Sequence, residues 1–295
     1  MDHRGTHVPD HCCLAVPEHT RTDPLETRMG LKLRSCAIAV AALVLAAASA
    51  PAPAAASSDR LPDLAMYKLM DFQIEKTPDH RRLLRYTTII VNIGTGNFQA
   101  EGSRASSADP EMSVVQRVFD DAGGSRLRRT AARMYWSGDG HTHWHLRDLE
   151  TSLLQRIRRD GDRTAVGEAG DRVRPRASAK HGFCFFDNIK FNLLLVGAPL
   201  DAFYPGCGTD STVLAQSMGL SIGWGDAYWY DLVDQWVDIT GVEDGRYRLT
   251  TWADAKNWFL ESDDSNNFTW TELRLHGNRP PAVIAEGPFA PLPEA

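Results

Sequence analysis

Three histidines fall within five residues of the chain, in Gly140-His141-Thr142-His143-Trp144-His145-Leu146. On an extended strand, residues i, i+2 and i+4 point to one side, with neighbouring side chains about 6.5–7 Å apart at the backbone. His141, His143 and His145 can then converge on a single ion, while Thr142 and Trp144 face the other way. Imidazole suits copper, zinc, iron and nickel alike, so the ligand type points to a transition metal without choosing one. Three protein ligands with an open position would make such a centre catalytic rather than structural. The plainer alternative is three solvent-facing histidines on an edge strand. Against it stands the supply: four of the ten histidines precede residue 57, and half of the remaining six sit in this one segment. The other three, His80, His181 and His276, are scattered singly.

The elements that must hold this segment read as strands. Leu83–Ile93, Leu149–Ile157, Phe183–Val196, Gln235–Thr240, Arg246–Trp252 and Asn267–Leu275 are rich in β-branched and aromatic residues and bounded by Gly, Pro, Asn or Asp. In Tyr247–Trp252 and Phe268–Leu275 apolar and polar positions largely alternate, the period of a half-buried antiparallel strand. Turns are supplied by Gly94-Thr95-Gly96-Asn97, Asp120-Asp121-Ala122-Gly123-Gly124 and Glu243-Asp244-Gly245. Helical periodicity is scarce, with Ser211–Met218 its best short candidate. The expected fold class is therefore mainly β, a β-sandwich-like domain with long loops and few short helices. Asp171–Ala179 reads as a loop, and the Pro/Ala-rich tail 280–295 as loosely ordered.

Composition sets the context. The 295 residues are 43% hydrophobic and 24% charged with a net charge of −6, which excludes a collagen, a coiled coil or a disordered tail. Thirty-two basic against 38 acidic residues also argue against a nucleic-acid partner. Residues 1–56 read as an address. Met29-Gly30-Leu31-Lys32-Leu33-Arg34 is followed by an apolar run from Cys36 to Ala48 and then by small residues, the parts of a secretory signal peptide. That run is shorter than the ~20 apolar residues that span a bilayer. The expectation is a translation start at Met29, cleavage near Ala54–Ala56, and a secreted domain over 57–279 with no membrane span. Retention of the apolar run as an anchor is the alternative, and it too exports the domain. In an oxidising compartment Cys184 and Cys207 most simply form one disulfide, worth ~3 kcal/mol on the chain-entropy model.

His141-Thr142-His143-Trp144-His145 with Asp148 resembles the copper-binding segment of the lysyl oxidases, copper-dependent amine oxidases. Further segments in the same order carry the resemblance: Leu61-Pro62-Asp63-Leu64, Leu83–Tyr86 through Gly94–Phe98, and Lys180-His181-Gly182-Phe183-Cys184-Phe185-Phe186-Asp187, which is similar to that family's Lys-x-x-Phe-Cys-x-x-Asp. Gly219–Tyr228, Asp231, Gln235–Thr240 and Glu261–Asn267 complete the series, so that the likeness covers roughly 61–275. It implies Cu(II) on the three histidines and a self-processed lysine tyrosylquinone built from Lys180 and Tyr228. Such a centre would oxidise primary amines or peptidyl lysine to aldehydes with O2, releasing hydrogen peroxide and ammonia. Asp148 and Asp226 are candidate general bases by position. Tyr230 would replace Tyr228 if the register slipped by two residues.

Glu261, Asp263, Asn266 and Asn267 place several oxygen donors within seven residues, which suits a hard ion such as calcium. The resemblance implies a structural Ca(II) site there, completed by the Asp63 side chain and the Leu64 carbonyl. An acidic, Asn-rich turn before a strand is the competing reading. The chain also departs from the family: its disulfides are fewer, Trp224 stands where relatives have a cysteine, and its Ala-rich leader reads as bacterial. An acidic domain favours cationic amines at long range. Two rival functions remain, a non-catalytic exported copper-binding protein of the same fold and a cupin-like metalloenzyme. The latter would use His143, His145 and Glu150, but the second half of the cupin motif is missing.

Overall fold

The structure is a computed structural model that describes residues 57–138, 140, 142–157, 176–178 and 182–291, all within the second of two units, Ala55–Ala295. In chain order its strands are β1 (Asp59–Arg60), β2 (Leu64–Met66), β3 (Met70–Lys76), β4 (Arg82–Asn92), β5 (Phe98–Ser103), β6 (Glu111–Asp120), β7 (Ser125–Ser137), β8 (His143–Arg147) and β9 (Glu150–Arg156). Then come β10 (Arg176–Ala177), β11 (Gly182–Phe183), β12 (Ile189–Lys190), β13 (Ala215–Leu220), β14 (Trp224–Tyr228), β15 (Trp236–Asp238), β16 (Gly245–Ala253), β17 (Phe268–Leu275) and β18 (Ala282–Glu286). Every pairing between them is antiparallel. They form three sheets, ordered β11-β8-β7-β6-β5-β13, β10-β9-β16-β17-β18 and β12-β14-β4-β15, with β1 joined to β6 and with β2 and β3 joined to β4.

Strand β4 is central because it is apolar on both faces. Ile90 joins a core shared with Met112, Met134, Trp144, Leu146 and Tyr228 of neighbouring strands. Leu84 and Tyr86, further along the same face, join a second core with Leu154, Tyr247, Leu249 and Leu273, while Ile89 and Val91 on the opposite face join a third with Ala65, Phe191 and Ala227. A strand covered on both sides reads as a continuous apolar run, as Leu83–Ile93 does. The mainly-β, sandwich-like class expected from the sequence is what the chain adopts.

Several local expectations fail. Among the described residues there is no helix, and Ser211–Met218 is a turn leading into β13. Its partner β5 supplies a complete ladder over Phe98–Ser103, which overrides a weak local helical period. Phe183–Val196 is mostly loop, interrupted by the short β11 and β12, with the Asn188 and Asn192 N–H groups donating to Gly225 O and Gly223 O instead of continuing one ladder. The tail is ordered further than its composition implied: β18 adds to β17, and Ala290 is buried with its N–H donating to Met66 O at 2.8 Å. Of Asp171–Ala179 only 176–178 are described, and they include β10 rather than loop alone. No helix among the described residues is long and apolar enough to cross a membrane.

Candidate metal and quinone centre

The hairpin β7–β8 places two of the three motif histidines. Its register sets Ser137 opposite His143, Trp136 opposite Trp144, and Tyr135 opposite His145. Trp144 and Leu146 face the core at 0% and 1% exposure, so period-2 alternation sends His143 and His145 to the other face together. Trp144 is fixed by its indole N–H donating to Asp210 O at 3.0 Å and by the Arg104 guanidinium 4.8 Å from its ring. The strand begins at His143. Thr142 has φ of 45°, a left-handed conformation costly for a β-branched residue, so the uninterrupted strand expected over the motif begins at His143 instead. His141 lies outside the described residues.

The Nε2 atoms of His143 and His145 face each other at 2.9 Å. Two imidazoles bound at right angles on one ion, with bonds of ~2.0–2.1 Å, place their nitrogens about 2.9 Å apart. The donor pair thus fits a transition metal. Among the described residues no third His, Cys, Asp or Glu joins the two.

Tyr228 comes to this pair from another sheet. At the end of β14, opposite Thr88 of β4, it is 3% exposed and its ring centroid lies 6.5 Å from that of His145. Its hydroxyl accepts the Cys184 N–H at 3.0 Å, and Phe183 packs on its ring at 4.4 Å. These contacts come from the Lys-x-x-Phe-Cys motif, which runs beside the histidine strand because β11 pairs with β8, Phe183 opposite Leu146. Cys184 is in turn bonded to Cys207, the disulfide expected from the sequence. Lys180 lies outside the described residues. Tyr230, the alternative from a slipped register, is 37% exposed with its N–H on Thr87 Oγ1, away from the histidines.

Burial pushes the Tyr228 phenol well above its usual range, and the charges of Asp226 and Glu150 and the Tyr135 phenol push it further. Asp226 is fully buried two residues before Tyr228 on the same strand, and its Oδ1 accepts from Asn188 Nδ2 at 2.5 Å. Asp148 differs: it sits in a turn at φ 53° and its carboxylate pairs with Lys256 Nζ at 2.8 Å. Glu150 is also buried, accepting from Thr88 Oγ1 at 2.9 Å, while Gln235 Nε2 donates to that hydroxyl at 3.1 Å. Sequence reasoning considered Glu150 only as a cupin-type ligand and passed over Tyr135 entirely. Tyr135 is placed by the β7–β8 register, which sets it opposite His145 and which no local pattern in the sequence reports.

Residues 208–284, which contain Tyr228, match the lysyl oxidase family. Protein-lysine 6-oxidase of Rattus norvegicus is 41% identical over 64 residues, 22% of this chain and 16% of the rat protein. The Sus scrofa protein of that name is 41% identical over 64 residues, 22% of this chain and 26% of its own length. Lysyl oxidase homolog 3 of Homo sapiens is 23% identical over 205 residues, covering 68% of this chain and 20% of that protein. Over these segments the chain is similar to the lysyl oxidase family. Its match spans a quarter or less of most of these relatives, so their whole-protein properties do not transfer by length alone. Trp224, noted in the sequence as a departure from the family, is buried with its indole N–H donating to Pro199 O at 2.8 Å.

The oxygen-rich segment folds against β2. Glu261 Oε2 accepts the Leu64 N–H at 2.5 Å and its Oε1 accepts from Asn267 Nδ2 at 3.1 Å. Asp63 accepts from Asn266 Nδ2 at 2.7 Å and from Ser262 Oγ at 3.2 Å. The Oδ1 atoms of Asn266 and Asn267 are buried and make no hydrogen bond among the described residues. Burial pushes the carboxyls of Glu261 and Asp63 upward. Two desolvated carboxylates beside two orphaned carbonyl oxygens are a donor set that a hard cation would complete. Asp263 stands outside this group, with its carboxylate accepting from Ser265 N–H at 2.8 Å.

Proposed function

We propose that the protein is an exported, copper-dependent amine oxidase that converts primary amines, peptidyl lysine among them, to aldehydes with O2 as acceptor. The observation that carries this reading is the convergence of Tyr228 with the His143–His145 pair from separate sheets, the phenol sealed in place by Cys184 and Phe183. His141, His143 and His145 would hold Cu(II), and Lys180 and Tyr228 would supply the lysine tyrosylquinone. When present, that pair of groups supplies a carbonyl electron sink for amine oxidation and the means of passing electrons to O2.

The chain's own residues account for the rest. Phe183 covers one face of the Tyr228 ring and keeps water from it. The Cys184 N–H fixes the phenol oxygen, so that the ring cannot turn away from the histidines. Asp226 is the carboxylate placed to take a proton beside Tyr228, and Asn188 holds its Oδ1 in position. Asp148, occupied by Lys256, is less suited to that role. The oxygen-rich cradle of Asp63, Leu64, Glu261, Asn266 and Asn267 would bind Ca(II) as a structural ion, with Asp263 at its solvent side.

The test is aerobic copper loading of the purified protein, followed by peptide mass spectrometry and an assay of amine-dependent peroxide. A cross-linked Lys180–Tyr228 peptide and peroxide release that is abolished in Lys180→Ala and Tyr228→Phe are expected. Copper binding without a cross-link would leave only an exported copper-binding protein of this fold.

A further inference from the structure

We infer that Tyr135 is a positioning residue of the copper centre, holding the His145 imidazole so that Nε2 faces the ion; the inference rests on the copper reading above. Tyr135 stands directly opposite His145 in the β7–β8 hairpin. Its Oη lies 3.5 Å from His145 Nδ1, the ring nitrogen turned away from His143, and the two rings meet edge to face at 5.7 Å and 79°. An imidazole that gives its Nε2 lone pair to a metal carries its proton on Nδ1. That proton needs an acceptor, and the acceptor sets the ring's orientation. The Tyr135 phenol oxygen is the group in place to receive it.

Tyr135 is itself held. The Arg147 guanidinium lies 4.5 Å over its ring, and Arg147 is fixed by Glu111 through Nε and Nη2 at 2.8 and 2.7 Å. Glu111 is the residue opposite Tyr135 on β6, so three adjacent strands contribute to one brace. The fourth strand makes room for it. A Cβ at Gly182 of β11 would collide with Tyr135 Oη and approach His145 Cβ and Nδ1 at 2.8 and 2.9 Å. Glycine at this position lets phenol and imidazole meet, which gives the residue before Phe183-Cys184 a role distinct from supplying the quinone.

Two variants of the full chain test this. Tyr135→Phe removes one oxygen and keeps the ring under Arg147; Gly182→Ala keeps every polar group and pushes the phenol from Nδ1. Cu(II) affinity is measured by competition with a chelator of known strength, and the ligand field by electron paramagnetic resonance. Wild type is expected to take up Cu(II) with nitrogen hyperfine structure. Both variants should bind about 10–100-fold more weakly and show altered g and hyperfine values, with circular dichroism of the metal-free proteins unchanged. Unchanged affinity and spectrum in both variants would overturn the role of Tyr135 and leave the copper reading standing. A wild type lacking nitrogen-ligated Cu(II) would overturn the copper reading, and this inference with it.

Discussion

Two regions of the molecule, one nitrogen-rich and one oxygen-rich, arrange their donor atoms in opposite ways. At the nitrogen site His143 and His145 already turn Nε2 toward Nε2 at 2.9 Å, braced by a hairpin whose other face is the core. At the oxygen site the carboxylates of Asp63 and Glu261 instead take the side-chain N–H groups of Asn266 and Asn267, leaving the amide carbonyls of both unmatched. Geometry is set in advance where the proposed oxidation would take place. Where a proposed ion would join chain segments, the donors satisfy one another and would rearrange on binding. The nitrogen site should therefore govern rate with little effect on stability, and the oxygen site the reverse.

The largest expected effect tests the first half of that contrast. Asp226→Asn keeps an oxygen for Asn188 Nδ2 but cannot take up a proton. Removal of a general base costs about 10²–10⁴-fold in rate. Amine-dependent peroxide release should fall by that factor, while the Lys180–Tyr228 cross-linked peptide still forms and the thermal midpoint hardly moves. Activity equal to wild type would assign the proton transfer to another group.

The next effect belongs to the oxygen site. An ion at 100 times its dissociation constant stabilises by about 2.7 kcal/mol, which for a domain of this size corresponds to roughly 5–10 °C in midpoint. Stripping calcium with a chelator and adding it back should move the midpoint by that amount in wild type and not in Glu261→Gln. Copper uptake should be the same in both. A midpoint indifferent to calcium would dismiss the site, and copper uptake lost with calcium would show the two regions to be coupled.

Much of this was legible from the sequence because it depends on short-range rules. Alternation in Tyr247–Trp252 and Phe268–Leu275 became β16 and β17, and the doubly apolar Leu83–Ile93 became the shared strand β4. Cys184 and Cys207 paired as export chemistry implied. What escaped depends on register. Tyr135 and Glu150 reach the site only through cross-strand neighbours, His145 for one and Thr88 for the other, and no local pattern reports which strands lie side by side. The helix expected at Ser211–Met218 failed for the same reason, since its ladder with β5 is formed between residues more than a hundred positions apart. Ala282–Glu286 likewise gains its order from β17 rather than from its own composition.

The smallest effect concerns Asp254, whose N–H donates to Leu149 O beside the nitrogen site and whose charge is felt by Glu261 of the oxygen site. Its carboxylate accepts the N–H groups of Trp258 and Phe259 at 3.1 and 2.8 Å, yet burial dominates and raises its pKa from 3.8 to about 6. A carboxyl that holds its proton more tightly folded than unfolded lowers stability as pH rises through the window between those values. Two units correspond to about 3 kcal/mol at most. Asp254→Asn has no such titration but gives up one of two acceptors, a loss of about 1–3 kcal/mol. With calcium saturating, the variant should be less stable than wild type near pH 4, and urea denaturation should show the gap closing by pH 6 and staying constant above it. A gap constant from pH 4 to 7 would mean that Asp254 is not strained by its burial, and that the two regions are separated by an ordinary capped turn rather than by a desolvated charge.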